Sequence, residues 1–244
     1  MRESPRWLRW LVAAGIAWSV VTLGISLVSD HSPRNLTLAI SIEASGVYTL
    51  LLYLSRRAWL PFLARRPVAG ATALGIFNAA LVEALFLGVQ TALGAERVAA
   101  HENLFVDWLL TMPWYAGMVW IFVRVQRRER YSAAAVLLWG AAYEAGADGI
   151  VGGLVAPAIL GPAPAVAQHL VFLAGLAFWQ FIPVYSSMVL APAWVLAAAD
   201  GGRVEAAVSG PARFAPGLKP FAWLAAFTVY LLAALAVIGF LNRG

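Results

Sequence analysis

The chain has 244 residues, 62% of them hydrophobic and 12% charged, with a mean hydropathy of +0.78. A soluble domain carries roughly twice that charge, so the polar surface is too small to cover a water-facing globule and lipid is the natural solvent. The absence of cysteine excludes disulfides, thiolate metal sites and cysteine nucleophiles. The net charge of +5 reports topology rather than nucleic-acid binding, because the arginines sit in short loops between apolar segments.

A bilayer crossing needs about 20 apolar residues. Seven runs meet that length in chain order: Trp7–Val28, Leu38–Ser55, Val68–Leu93, Leu104–Val123, Ser132–Val155, Ala165–Ala199 and Phe221–Leu241. The first follows arginines and reads as a signal anchor, because no small-residue cleavage site precedes Asp30. The stretch Arg56–Arg66 reads as a short amphipathic piece at the interface, with Trp59 and Phe62 among the headgroups. The sixth run is long and carries Pro183 and Pro192, as expected for a kinked helix or a helix with a re-entrant piece. No repeat or linker divides the chain. The expectation is an all-α bundle of about seven transmembrane helices in one domain, residues 1–244.

Seven crossings place alternate loops on opposite sides. Fourteen of the 17 basic residues then fall on one side, and Arg34, Arg97 and Arg243 on the other. Positive charge accumulates in the cytoplasm, so the N-terminus is expected inside and the C-terminus outside. The Ala- and Arg-rich composition suits a bacterial inner membrane.

Five of the 12 acidic residues fall inside the crossings: Glu43, Glu83, Asp107, Glu144 and Asp148. A charged acid at the bilayer centre costs about 2.5–3.5 kcal/mol on insertion scales, or about 12–18 kcal/mol for five. That exceeds the ~5–15 kcal/mol that stabilises a typical fold. These groups must face a cavity, pair with donors, or share protons. The topology puts them in the outer half of the bilayer, together with His101 and His169.

Glu144 and Asp148 are one helical turn apart on one face. Two carboxyls this close in low dielectric do not both ionise readily, so one can act as acid and the other as base. The competing reading is that they bond Asn78, Gln90, His169 or Gln180 and orient helices. Glu83 and Asp107 are candidates to assist. Trp108, Trp114, Tyr115, Trp139, Tyr143, Trp179 and Tyr185 are expected at membrane depth near the acids. Aromatic faces of this kind stabilise carbocations or line a polyene tunnel. Asn78 and His169 complete the candidate substrate site. The three histidines are dispersed and no metal motif appears, although Glu83, Glu144 and Asp148 together have the chemistry to hold magnesium. The sequence leaves any cofactor unidentified.

Val82-Glu83-Ala84-Leu85-Phe86-Leu87-Gly88-Val89-Gln90-Thr91 resembles the carboxylate helix of integral-membrane lycopene cyclases, with Val82 where that family has a second acid. Tyr143-Glu144-Ala145-Gly146-Ala147-Asp148-Gly149 is similar to the acid-xxx-acid helix of membrane carotenoid hydratases, with Gly149 in place of a proline, and Ile182-Pro183-Val184-Tyr185-Ser186 is similar to a later element of theirs. Small membrane terpene cyclases share the size, the helix count and the reliance on buried acids. These resemblances imply proton-initiated cyclisation or hydration of an isoprenoid or carotenoid-like ligand. Val106-Asp107-Trp108-Leu109-Leu110-Thr111-Met112-Pro113 resembles the counter-ion helix of microbial rhodopsins. The only lysine, Lys219, starts the last crossing instead of occupying its middle, which argues against a retinal photoreceptor. Rival readings are a proton-coupled transporter or channel, and a non-catalytic pigment- or lipid-binding subunit of a homo- or hetero-oligomeric complex.

Overall fold

Apolar runs bounded by capping residues give long helices. The computed structural model describes residues 1, 3–96, 98–155, 157–158, 165–201 and 215–241. Arg2, Arg97, Arg203, Arg213 and Arg243, which enter the charge bias, lie outside these. The helices are α1 (Arg6–Ser29), α2 (Pro33–Leu63), α3 (Pro67–Leu93) and α4 (Leu104–Glu129). α5 (Ala133–Glu144) continues in π conformation over Ala145–Val155. α6 (Val166–Ala199) contains a π turn at Leu173–Ala177, and α7 is Lys219–Leu241. Six of the seven are long and apolar enough to cross a membrane; α5 with its π extension is the other. The chain is an all-α polytopic membrane protein.

The boundaries follow local chemistry. Ser32 caps α2 by accepting from the Asn35 amide, with Pro33 at the first helical position, where a missing N–H costs nothing. Asn103 Oδ1 accepts from the Phe105 and Val106 amides to start α4. Gly94 ends α3 at φ 66°, a left-handed conformation that suits glycine. One expectation is corrected here. The arginine-rich stretch after the second crossing is not a separate interfacial piece, because α2 runs on through Pro61 to Leu63. The Trp59 indole N–H reaches back to the Leu52 carbonyl at 3.1 Å, which ties this last part to the helix before it.

The kinked sixth run is one continuous helix and forms the axis of the bundle. It packs against α1, α2, α3, α4 and α5. In its crossing window 72% of residues are buried, against 28% in α1 and 11% in the last crossing. Small residues let backbones approach it, as expected where lipid supplies no hydrophobic drive between helices. Gly46 of α2 faces Pro183, Gly75 of α3 faces Pro192, and Gly140 of α5 faces Tyr185 and Val189. α7 lies outside this core, against α4 and the π segment of α5.

The two ends of the bundle differ. At one end Arg130 pairs with Asp200 at 3.3 Å and Ser4 Oγ accepts from the Ala134 amide, so the N-terminus, the α4–α5 turn and the end of α6 meet there. At the other end Gln90 Oε1 accepts from the Val98 and Ala99 amides at 2.9 and 2.7 Å, which ties the α3–α4 loop down onto α3.

Candidate functional site

Three helices bring acidic residues toward one another. Glu83 sits on α3, Asp107 in the first turn of α4, Glu144 at the end of α5, and Asp148 in the π segment. Asp107 has no exposed surface and Glu144 is 4% exposed. Glu83 is half-buried, and Asp148 is exposed on the flank of the bundle.

Two tyrosines join these acids. The Tyr115 hydroxyl donates to Glu83 Oε1 in a short hydrogen bond. Tyr115 packs against Tyr185 of α6, with ring centroids 5.7 Å apart. The Tyr185 oxygen accepts the Trp114 indole N–H at 3.0 Å, and its hydroxyl lies beside Glu144. Glu144 in turn neighbours Asp148, and Glu83 neighbours Asp107. The order along the network is Asp107, Glu83, Tyr115, Tyr185, Glu144, Asp148. It runs from the end of the bundle at the α3–α4 loop to its middle and out to its flank.

The α3–α4 loop covers this end of the network. The His101 amide donates to Asp107 Oδ1 at 3.1 Å. His101 Nδ1 accepts from the Asn103 amide at 2.9 Å, so in the neutral ring the hydrogen is on Nε2. Asp107 Oδ2 and Glu144 Oε2 have no hydrogen-bond partner among the described residues despite their burial. None of the four acids forms an ion pair among the described residues. Buried polar groups are ordinarily satisfied, and unsatisfied ones mark unmodified strain, bound solvent or chemistry.

The π conformation of α5 positions the second half of the site. Its sequence, Ala145-Gly146-Ala147-Asp148-Gly149-Ile150-Val151-Gly152-Gly153-Leu154-Val155, is rich in glycine, and neighbours fill the missing side-chain space. Phe221 and Leu224 of α7 lie on Gly146, Leu173 of α6 on Gly149, and the His169 ring on Gly153. His169 Nε2 is 2.7 Å from the Gly149 carbonyl; a carbonyl only accepts, so Nε2 carries the hydrogen. π segments are rare and recur at functional sites.

The sequence-predicted residues divide into groups. Glu83, Asp107, Glu144, Asp148 and Tyr185 come together. Glu43 stands apart, on α2. Trp139 and Tyr143 leave the acids. They stack on each other with centroids 5.8 Å apart, and the Tyr143 hydroxyl donates to the Gly217 carbonyl before α7. Tyr143 is adjacent to Glu144 in sequence, yet one residue along a helix turns the side chain by about 100°. Trp179 faces Gly15 of α1. Trp108 lies beside Phe105 near the outer end of α4, its indole nitrogen buried and without a partner.

The expected glue residues have other work. Asn78 accepts from the Tyr48 hydroxyl and donates to the Ser187 carbonyl, both at 2.8 Å. Gln90 holds the loop, His169 holds the π segment, and Gln180 donates to Thr22 Oγ1 at 3.3 Å. None of the four bonds to Glu144 or Asp148. Trp114 and Tyr115 were expected near the acids; what sequence reasoning missed is their bonding, Tyr115 to Glu83 and Trp114 to Tyr185. The available signal was that a tyrosine hydroxyl at membrane depth needs a polar partner. Among the described residues no three acids or histidines assemble as metal ligands, so the magnesium set is not formed.

Fold and site together define a polytopic membrane protein with an internal acid–tyrosine network. Comparison with family models, characterised proteins and solved structures finds no match to this chain.

Proposed function

We propose that this chain is a membrane-embedded enzyme, placed in a bacterial inner membrane, that uses carboxyl acid–base chemistry to cyclise or hydrate an isoprenoid-type lipid. One observation carries the reading: four carboxyls and two tyrosines converge at membrane depth without an ion pair. A purely structural cluster would be expected to neutralise its acids with cations, because unpaired intramembrane charge is costly.

Asp148, exposed on the flank, is the group that a substrate dissolved in lipid can meet, and Glu144 stands behind it. In the acid step the carboxyl O–H bond breaks and the alkene π pair takes the proton. A C–H bond forms, and the cation left on the neighbouring carbon faces the aromatic ring of Tyr185 or Tyr115. The carboxylate left behind is the base. In hydration it takes a proton from the water that captures the cation, leaving an alcohol. In cyclisation a second alkene of the same chain captures the cation, and the carboxylate removes a proton from the ring carbon beside it. Either route returns the proton to the carboxyl. Tyr185, Tyr115 and Glu83 connect this pair to Asp107 and His101 at the α3–α4 loop, where water can restore a lost proton.

Expression in a bacterial host that makes a linear polyene, with lipid extracts resolved by liquid chromatography and mass spectrometry, tests the proposal. The expected product is heavier by one water or is a ring-closed isomer, and it disappears in Glu144→Gln and Asp148→Asn. Unchanged product in both correctly folded variants would reject the assignment. A second reading, a proton-conducting relay, is favoured by the single-file order from rim to flank. It predicts proton flux into protein-containing vesicles without any lipid product, again lost in Glu144→Gln.

A further inference from the structure

On the opposite side of α6 from the acid network, α1 and α2 diverge and leave a groove of about 500 Å³. That lies within the ~300–1,000 Å³ range of small-molecule sites. Its walls are Ile16, Val20, Val47 and Leu50, its floor is Ile182 and Leu190 of α6, and it ends at Tyr53 and Trp194. Several polar residues interrupt this lining: Thr49 and Ser186 bond each other at 2.6 Å, whereas Glu43 and Ser19 have no side-chain hydrogen-bond partner among the described residues. Glu43 of α2 is exposed in the groove and makes no hydrogen bond or ion pair among the described residues. Ser19 of α1 is 1% exposed, yet its Oγ has no partner.

The two sit at one level. Glu43 is ten residues from the start of α2 and Ser19 ten from the end of α1. Each is therefore about 15 Å below its outer helix end at 1.5 Å per residue. That is well inside the hydrocarbon zone, where an ionisable side chain marks a functional site by default. From this level the groove continues toward Tyr53, ten residues further along α2, as a largely apolar slot about 15 Å long, in which the Thr49 and Ser186 hydroxyls are already paired with each other.

We infer that the groove binds a neutral lipid alcohol: a long apolar chain with a hydroxyl that donates to Glu43 and accepts from Ser19. A hydroxyl is the smallest group that satisfies both, because it is donor and acceptor at once. A phospholipid keeps its charged head at the surface and cannot place it this deep. A second copy of this chain offers no basic side chain at that depth among its described residues, since these lie within about two turns of a helix end or between helices. The groove is independent of the acid network and stands whether or not that network is catalytic.

The test uses the full chain in phosphatidylcholine nanodiscs. The probes are an octadecanol carrying a photoreactive diazirine and the matching octadecane without the hydroxyl, and labelled peptides are mapped by mass spectrometry. The alcohol is expected to label α1, α2 and α6 peptides of the groove. That labelling should fall at least tenfold in Glu43→Leu and several-fold in Ser19→Ala, while the hydrocarbon labels all three proteins equally. Equal labelling by both probes, or labelling unaffected by either substitution, overturns the inference and leaves an ordinary lipid-filled crevice. The chain has no cysteine, so Val47→Cys introduces a unique thiol. Efficient disulfide-linked dimer formation at that position, with no alcohol labelling, would assign the groove to a second copy instead.

Discussion

Replacing Asn78 with leucine separates a structural from a substrate-binding role for this residue. Asn78 is fully buried and ties three helices: it accepts from Tyr48 of α2 and donates to the Ser187 carbonyl of α6. Hydrogen bonds between membrane helices contribute about 0.6 kcal/mol on average and about 1.7 kcal/mol at most. Losing two costs about 1–3 kcal/mol, since the Ser187 carbonyl keeps its helical position while the half-buried Tyr48 hydroxyl loses its acceptor. Tyr48→Phe removes only one bond and costs about 0.6 kcal/mol. The double variant should cost less than the sum of the single ones, because the Tyr48–Asn78 bond is counted in both. Equilibrium unfolding in mixed micelles with increasing SDS reads all three values. Wild-type stability in Asn78→Leu, combined with loss of a bound or converted lipid, would refute the structural role and return Asn78 to the substrate site.

Gly117 lies under the Trp223 indole, which donates to the Pro113 carbonyl at 3.0 Å, and a Cβ there would collide with the ring. Gly117→Ala should destabilise the chain by about 1–3 kcal/mol through overpacking, read as an earlier unfolding midpoint, whereas Gly88→Ala, where a Cβ meets nothing, should not. Gln90→Ala should release the Val98 and Ala99 amides, so their hydrogen exchange should speed up while that of the α6 core stays slow. The Arg130–Asp200 pair is partly exposed on both sides, so Asp200→Asn should change stability by less than about 1 kcal/mol, with the difference shrinking at high salt. Reporter fusions after α2 and after α3 should give opposite orientations, with the arginine-rich loop after α2 in the cytoplasm; the same orientation at both would overturn the seven-crossing topology.

Composition and hydropathy determined the solvent, the helical class and the approximate positions of the helices, though not the reach of α2, which extends from Pro33 to Leu63. Lipid offers the backbone no hydrogen-bond partner, so an apolar run of about 20 residues has to be a helix wherever it packs. The buried acids were legible for the same reason: ionisable residues inside such runs stand out against the cost of placing them there. Which acids meet was a different matter. Glu43 and Glu83 look alike along the chain, yet one faces a groove beside α1 and the other the Tyr115 hydroxyl. Tyr143 and Glu144 are neighbours in sequence and part company in space. The rotation of each helix about its axis is set by packing against α6, where Gly46, Gly75 and Gly140 admit its side chains, and by the π conformation of Ala145–Val155, which turns Asp148 to the flank. In an almost uniformly apolar chain the hydrophobic pattern marks no inner face, so only the interlocking of small and large side chains decided which way each polar group points.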